Sequence, residues 1–415
     1  MIRLISSDLH KNREKIRIAI TDQCSCLIHT IRLNHKAIMD ELLKYESFEA
    51  AKDEIWHSLD CLNNISQELK WLSYGKVNLL CSIIPINLPL YSLVLFGIIP
   101  GFMSNEVIVR PPILMIDILK KIIELLNLKK LMPHIKFIYL ERSLFGEAYI
   151  SVADVVIFTG RYENAKLVQK ICPKALFIYD GTGVNPIIIA DSAQIELAVK
   201  KTIKTRIFNS GQDCAGPDVI FIHEKILYTL KDALLSELTK LKIGDYQNRD
   251  VRIGPLIKKD ILPEVNDFFH KHAKSLIYGG RIDMDKGIIY PTVFIEDIDE
   301  IEKFTLTEFF SPVFYLCVYH HNSDIQRIFS QKSYSDFAMY VSFFVESQPD
   351  IEIPNSVILH NQIPNDIERG NNPYGGYGPK ANFISYEGVN YHRPLLISRE
   401  ICMHLERQSL KSKQS

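Results

Sequence analysis

The chain has 415 residues, of which 47% are hydrophobic and 23% are charged. This composition supplies large apolar cores and excludes a mainly disordered chain, and the length predicts two domains with a cleft between them. Lys and Arg total 48 against 49 Asp and Glu, so the net charge of -1 provides no general basic field for nucleic acid or anionic lipid. No nucleic-acid partner is therefore expected.

The cysteine pattern and the N-terminus predict a compartment. Eight cysteines without metal-type spacing argue against a disulfide framework or a structural zinc site and favour a reducing environment. The nearest pair, Cys24 and Cys26, is predicted to form two buried small hydrophobic side chains, and no metal site is predicted. The first residues mix charges of both signs and lack the apolar core of a signal peptide, so we expect a cytoplasmic protein.

Hydrophobic periodicity predicts the elements in chain order. Residues 8–73 carry apolar positions at helical spacing and are predicted to be helical. From Val77 onward, short β-branched and aromatic runs alternate with helical patterns, which predicts β-α-β units and a parallel sheet with helices on both faces. The predicted strands cover 77–84, 105–109, 135–140, 155–158, 176–179, 186–190, 219–222 and 312–318, and the predicted helices include 116–126, 163–170, 193–208 and 262–273.

One uncharged segment, between Lys76 and Glu106, is long enough in principle to cross a bilayer. Its prolines, Pro85, Pro89 and Pro100, would leave a membrane helix short of backbone hydrogen bonds in lipid. We therefore predict a buried strand, a turn over 85–89 and a buried helix ending near Pro100, and no membrane partner.

One cysteine follows a glycine-containing turn, in the run Asn-Ser-Gly-Gln-Asp-Cys at 209–214. Backbone N–H groups are free at such a turn, so the pKa of the Cys214 thiol can be lowered and a substrate can approach it. A structural cysteine in a loop is the alternative if this turn stands alone. At this run the sequence resembles the aldehyde dehydrogenase superfamily, whose nucleophile lies in Asn-x-Gly-Gln-x-Cys.

The resemblance extends from about residue 8 to residue 380, with matching segments in the family's order. Those segments are Pro85–Pro89, Val109–Pro111, Phe158–Gly160, Asp180–Pro186, Glu308–Val313 and Pro373–Gly376. The resemblance implies an α/β architecture, with a Rossmann-like nucleotide-binding domain and an α/β catalytic domain. We expect the N-terminal helices and the dinucleotide-binding domain in 1–180, the catalytic domain in 181–372, and a tail in 373–415 that could serve in oligomerisation.

The resemblance also implies a mechanism, the NAD(P)-dependent oxidation of an aldehyde to a carboxylic acid. Cys214 would attack the aldehyde, and the Asn87 amide with the Cys214 backbone N–H would face the oxyanion of the thiohemiacetal. After hydride transfer to NAD or NADP, Asp180 would activate the water that cleaves the thioester. Cofactor contacts would come from Arg110, Gly160, Arg161, Glu308 and Phe310.

Departures from the family pattern leave alternatives open. Asp180 replaces the family's Glu, a side chain shorter by roughly 1.5 Å, and slow hydrolysis would favour a CoA-acylating dehydrogenase or acyl-CoA reductase. Arg161, Thr182 and Ser311 also depart from the pattern, as does Val184, so a degenerate member that binds nucleotide or a partner is a further alternative. Asp213, beside the nucleophile, is expected to point outward.

Two further departures concern the cofactor and assembly. Ile113 lies where many NAD-preferring members have an acidic residue, so NAD and NADP both remain candidates, and Arg110 with Arg161 could pair with a 2′-phosphate. Only residues 74–76 separate the helical stretch from the strand at Val77, where the family usually has a long subunit-pairing hairpin. The homodimer that the family resemblance implies is therefore open to question.

Overall fold

The computed structural model describes residues 2–301, 308–347 and 351–412. Helices occupy the first part of the described chain and then alternate with strands. In chain order they are α1 (Ile2–Leu33), α2 (His35–Leu42), α3 (Phe48–Asn63), α4 (Leu69–Leu72), α5 (Pro89–Leu93), α6 (Ile99–Gly101), α7 (Ile116–Leu125), α8 (Leu128–Leu131), α9 (Arg142–Ala148), α10 (Tyr162–Ile171), α11 (Ile195–Arg206), α12 (Leu227–Leu238), α13 (Leu262–Lys271), α14 (Ile298–Ile301), α15 (Asn322–Phe329), α16 (Lys332–Ser335), α17 (Pro364–Ile367) and α18 (Ile397–Lys411). One turn of π-helix, Val94–Ile98, joins α5 to α6.

The strands form two large sheets and two small ribbons. In chain order they are β1 (Val77–Ile83), β2 (Ser104–Arg110), β3 (Ile135–Phe137), β4 (Val155–Gly160), β5 (Leu176–Gly181), β6 (Ile187–Ile189), β7 (Ile220–His223), β8 (Lys242–Ile243), β9 (Val251–Ile253), β10 (Leu276–Tyr278), β11 (Ile282–Asp283), β12 (Ile288–Ile289), β13 (Thr292–Asp297), β14 (Val313–Tyr319), β15 (Tyr340–Phe344), β16 (Val357–His360), β17 (Asn382–Tyr386) and β18 (Val389–Tyr391).

The first sheet has the order β18-β17-β5-β4-β1-β2-β3. Its five strands from β5 to β3 are parallel, and the β17–β18 hairpin adds two antiparallel strands beside β5. From β1 the chain builds the sheet first in one direction, through β2 and β3, and then in the other, through β4 and β5. The crevice at the carboxyl ends of β1 and β4 is therefore a topological switch point, where open α/β sheets bind ligands.

The second sheet has the order β10-β13-β14-β7-β6-β15-β16, and all its pairings are parallel except that of β10 with β13. Successive side chains of a strand point to opposite faces. Ile187 and Ile189 accordingly pack with α11 and α12, whereas Ile188 packs on the opposite face with α13 and α15. Helices thus cover both faces, which confirms the predicted α/β architecture.

The predicted elements agree with the structure, apart from one cysteine. The stretch 8–73 is helical, and the strands predicted between 77 and 318 lie within a few residues of β1 to β7 and β14. Cys24 is buried, but Cys26 is exposed, so the prediction that both are buried is wrong. Residues two apart on a helix point about 200° away from each other, so only one of them can face the core of α1.

The uncharged segment folds as expected, with β1 followed by the Pro85–Pro89 turn and the short helices that end at Gly101. No helix in the described part of the chain is long and apolar enough to cross a bilayer. The predicted tail adds β17 and β18 to the first sheet, and Ile401 of α18 is buried in the same core as the N-terminal helices. The domain borders and a role of the tail in oligomerisation stay predictions.

Candidate active site

A cavity of about 600 Å³ lies at the switch point of the first sheet. Ile83, at the end of β1, and Gly160, at the end of β4, both line it, and the Thr159 hydroxyl donates to the Ile83 carbonyl over 2.9 Å. Cys214 lines the same cavity. The cavity therefore joins the switch point to the cysteine that the sequence singles out.

The nucleophile loop, 207–218, leaves α11 through a single tight turn. Asn209 and Ser210 have φ of 46° and 58°, and Gly211 follows at 82°, so three successive residues adopt left-handed backbone. The Ser210 hydroxyl holds this turn, since it lies 2.6 Å from the Tyr246 hydroxyl and accepts from the Gly254 N–H over 2.9 Å. These two contacts of the Ser210 hydroxyl fix the loop at its strained turn.

Gly211 brings the loop against the Glu308–Val313 segment. A Cβ atom at this position would lie 2.3 Å from the carbonyl carbon of Ser311, far inside ordinary contact. Only glycine permits both this approach and the positive φ. Ser311, where the family has glycine, is itself fully buried, and its hydroxyl has no hydrogen-bond partner within the described ranges.

The structure brings Asn87 to the nucleophile loop. The Asn87 side-chain amide, 8% exposed, donates to the Gln212 carbonyl over 3.2 Å, and Asn87 and Cys214 line the same cavity. The Gln212 side chain in turn accepts from the Ile257 N–H over 2.8 Å. The two motifs that sequence analysis paired are therefore adjacent in space.

Two buried residues that sequence analysis did not assign donate hydrogen bonds to the backbone of the nucleophile loop. The Asn185 amide donates to the Cys214 carbonyl over 2.6 Å. Arg206, 1% exposed, donates to the carbonyls of Gly211 and Pro217 over 2.9 Å each. A signal for Arg206 existed, because it shares the apolar face of its helix with positions three and four residues earlier, where a charge needs a buried partner.

The electrostatics of the thiol contradict the expectation of a lowered pKa. Burial raises the pKa of Cys214 well above its ordinary value, and the negative charges of Asp213, Asp180, Glu308 and Glu368 raise it further. Free N–H groups at the turn do not outweigh this surrounding of carboxylates. The thiol form is therefore the resting form of Cys214 in the ligand-free chain.

The expectation that Asp213 points outward is also wrong. The side chain is 8% exposed, lines the cavity, and accepts from the Ala215 N–H over 3.1 Å. An aspartate readily hydrogen-bonds the N–H two residues on, and this local bond turns the carboxylate inward. Burial raises the pKa of Asp213 as a result.

Three further acids line the cavity. Burial raises the pKa of Asp180 to about 7 and that of Glu308 to about 8, and Asp218 adds to the rise at Glu308 while Arg206 opposes it. Glu368 lines the cavity as well, with its pKa raised to about 7 by burial. Sequence analysis did not assign Glu368, and nothing local in its sequence marks it.

The two arginines among the predicted cofactor residues, Arg161 and Arg110, have different charged neighbours. Arg161 follows Gly160, which has φ of 136°. The positive charge of Arg161 opposes the rise in the pKa of Glu308. Arg110 donates to the Leu140 carbonyl over 3.1 Å, and burial together with the positive charge of Arg142 lowers the pKa of Arg110. Each arginine therefore has its own charged neighbour, and both line the cavity.

Phe310 also lies on the cavity wall, with φ of 46°. Ile113 is 69% exposed at the end of the loop that follows Arg110. The structure thus gathers Cys214, Asn87 and Asp180 with the predicted cofactor residues along one cavity, listed together as Arg110, Gly160, Arg161, Glu308 and Phe310.

Several named proteins are related to this chain in sequence. A lactaldehyde dehydrogenase from Methanococcus aeolicus is 27% identical over 339 residues, which cover 76% of this chain and 69% of the relative. A sulfoacetaldehyde dehydrogenase from Neptuniibacter caesariensis is 22% identical over 245 residues, covering 57% of this chain and 52% of the relative.

Solved structures share the fold. A glyceraldehyde-3-phosphate dehydrogenase from Methanocaldococcus jannaschii, complexed with NADP, superposes with a TM-score of 0.77 at 17% identity, over 95% of this chain and 90% of its own. A succinic semialdehyde dehydrogenase from Streptococcus pyogenes, also with NADP, gives 0.78 at 16% identity over 97% and 92%. The model of the aldehyde dehydrogenase family matches residues 6–345. Because that match spans most of the sequence, the chain belongs to the aldehyde dehydrogenase family, oxidoreductases that act on aldehydes.

Proposed function

We propose that this chain oxidises an aldehyde to a carboxylic acid, with NADP or NAD as hydride acceptor, through a thioester on Cys214. The observation that carries the proposal is that Cys214, Asn87 and Asp180 line one cavity at the switch point of the first sheet. A nucleophile, an oxyanion donor and a general base in one cavity are the groups that acyl chemistry on sulfur requires.

The first step is attack by sulfur on the aldehyde carbon. Because the pKa of Cys214 is raised, a base must take the thiol proton, and Asp180, with a pKa of about 7 and a charge that reaches the thiol, is suited to do so. The Asn87 amide and the Cys214 backbone N–H then donate to the oxyanion of the thiohemiacetal. In the resting chain the same amide donates to the Gln212 carbonyl, so it already points into the loop.

Glu308 supports the fit of a nicotinamide nucleotide. Its Oε1 atom is buried and has no hydrogen-bond partner among the residues that the structure describes, and a ribose hydroxyl is a donor that would satisfy it. Gly160, without a Cβ, lets a ligand approach the backbone at the end of β4. Bound NAD(P) supplies the ring carbon that accepts the hydride when the thiohemiacetal collapses to the thioester.

Asp180 is proposed to activate the water that cleaves the thioester. Its raised pKa makes it a stronger base than an ordinary carboxylate, which partly offsets the shorter side chain. Transfer of the acyl group to CoA remains the alternative fate, and the two are distinguished by the product. An acid that forms at the same rate with and without added CoA supports hydrolysis, whereas CoA-dependent turnover with an acyl-CoA product rejects it.

We propose NADP as the preferred cofactor. Arg142 is close enough to Arg110 for its positive charge to lower the pKa of Arg110, and Ile113, three residues after Arg110, has no carboxylate of its own to repel a 2′-phosphate. Glu141 offsets part of this charge. The ratio of kcat/KM for NADP over NAD tests the preference, and Arg142→Gln is expected to lower that ratio without changing kcat with NAD.

The experiment for the main proposal measures reduced nicotinamide during turnover of an aldehyde panel that includes lactaldehyde and succinic semialdehyde. Cys214→Ser is expected to abolish activity, whereas the matched control Cys26→Ser, at an exposed cysteine, is expected to leave it unchanged. Activity that survives in Cys214→Ser would reject the nucleophile, and a wild-type chain inactive with every aldehyde would reject the function.

A further inference from the structure

The Asn87 turn carries an unusual cap. The helix α5 begins at Pro89, which has no N–H, after Leu88, whose side chain has no acceptor and whose φ is 50°. The first free N–H groups of the helix belong to Leu90 and Tyr91, and both donate to Glu54 Oε2 over 3.2 Å. A residue 36 positions earlier in the chain, on α3, therefore does what an N-cap side chain usually does.

This cap decides what the Asn87 side chain is free to do. Asparagine just before a helix ordinarily turns its side chain toward the N–H groups of that helix. Here those groups are already satisfied by Glu54, and the Asn87 amide donates to the Gln212 carbonyl instead. The Ser92 hydroxyl donates to the Asn87 carbonyl over 3.0 Å and fixes the backbone of the turn.

Glu54 is buried beside a second acidic residue, which makes its burial energetically unfavourable. Its side chain is 1% exposed, and Glu46, also 1% exposed, lies close enough for the charge of Glu54 to reach it. Burial and the charges of Glu54 and Asp53 raise the pKa of Glu46. Burial also raises the pKa of Glu54, to about 7, and the N–H groups of Tyr91 and Leu90 that donate to its carboxyl group oppose this rise.

We propose that Glu54 is a positioning residue for the oxyanion donor, acting through Asn87 by capping α5 from outside the turn. The inference rests on the proposed function. Without the cap, the two N–H groups of α5 compete for the Asn87 side chain. That side chain then moves away from the Gln212 carbonyl. A displacement of about 1 Å at such a donor is enough to lower the rate roughly a hundredfold.

A double-mutant cycle tests the proposal. Glu54→Leu is expected to lower kcat by about ten- to a hundredfold, with KM for the aldehyde changed less than threefold, because the oxyanion forms only after binding. In the Asn87→Ala background, Glu54→Leu is expected to change kcat less than twofold. A residue that merely supports the fold would lower kcat by the same factor in both backgrounds.

Two further variants keep the test decisive if Glu54→Leu does not fold. Glu54→Gln retains an acceptor oxygen at the same reach and is expected to keep most of the activity, whereas Glu54→Asp withdraws the oxygen by one methylene and is expected to lose it. Ser58→Ala is the matched control, because Ser58 is buried on α3 but donates only to the Glu54 carbonyl within its own helix. Its kcat is expected to stay within twofold of the wild type.

The rate at which iodoacetamide alkylates Cys214 separates the outcomes, since this reaction needs no oxyanion. It is expected to be unchanged in Glu54→Leu. Additive losses in the cycle, or alkylation slowed as much as kcat, would overturn the inference while the proposed function stands. If the wild-type chain oxidises no aldehyde, the proposed function fails, and the positioning role of Glu54 fails with it.

Discussion

Gly211 offers the sharpest test of the nucleophile loop, because its geometry predicts two separate costs of Gly211→Ala. Its φ of 82° costs a residue with a Cβ roughly 1–2 kcal/mol. In addition, the new Cβ would lie 2.3 Å from Ser311 C and 2.5 Å from Ser311 O, whereas carbon atoms prefer about 3.5–4.0 Å. The loop must therefore move more than about 1 Å from the Ser311 segment, or that segment must move from the loop.

Such a shift displaces Cys214 relative to Glu308 and the rest of the cavity wall. We expect Gly211→Ala to lower kcat/KM by about a hundredfold and the free energy of unfolding by roughly 2–4 kcal/mol in urea titrations.

Gly388→Ala is the matched control, because Gly388 has φ of 81° but no atom within 4 Å of its added Cβ. It should show only the backbone cost, about 1–2 kcal/mol, with kcat/KM unchanged. If Gly211→Ala keeps kcat/KM within threefold of the wild type, the close packing of loop and segment does not set the catalytic geometry.

Three other outcomes are expected. Asp180→Asn should slow both sulfur attack and hydrolysis, so a thioester on Cys214 should form slowly and then persist, visible by mass spectrometry; a fall in kcat with no thioester at any time would place Asp180 in sulfur attack only. Arg206→Leu leaves Asp218 buried without its cation and should lower the free energy of unfolding by about 3–5 kcal/mol, with partial recovery in the double variant with Asp218→Asn. Because burial raises the pKa of Glu308 from 4.5 to about 8, the folded chain holds a proton that the unfolded chain releases. Stability should therefore fall as the pH rises from about 5 to about 8, and Glu308→Gln should make this fall less steep; an equally steep fall would show that Glu308 ionises normally.

Local sequence was enough to predict the elements, and the family resemblance picked out the candidate site residues that line the cavity. Buried strands such as β1 and β4 carry apolar runs that only a covered sheet can accommodate, so their alternation with amphipathic helices predicts the fold. The turn containing Asn87 and the run ending at Cys214 carry residue types that tight turns require, which made both recognisable from the chain alone.

Residues that act through long-range contacts were not predictable in the same way. Asn185 and Glu54 contribute through hydrogen bonds to residues 29 and 36 positions away, and neither contact leaves a periodic pattern. Arg206 lies on a helix face that predicts burial, yet the identity of its partners, two carbonyls of the nucleophile loop, depends on how that loop turns back.

The charge state of Cys214 was likewise not predictable from local sequence. From the chain alone, Cys214 follows a turn with free N–H groups, and this predicted a lowered pKa. The fold brings Asp180, Glu308 and Glu368 to the same cavity and turns Asp213 inward, so the pKa is raised instead. The sequence by itself singled out Cys214 as the candidate nucleophile, because that choice depends on residue type and local turn. Only the tertiary structure decided the protonation of its thiol, because desolvation and Coulomb energy depend on distances between groups far apart in the chain.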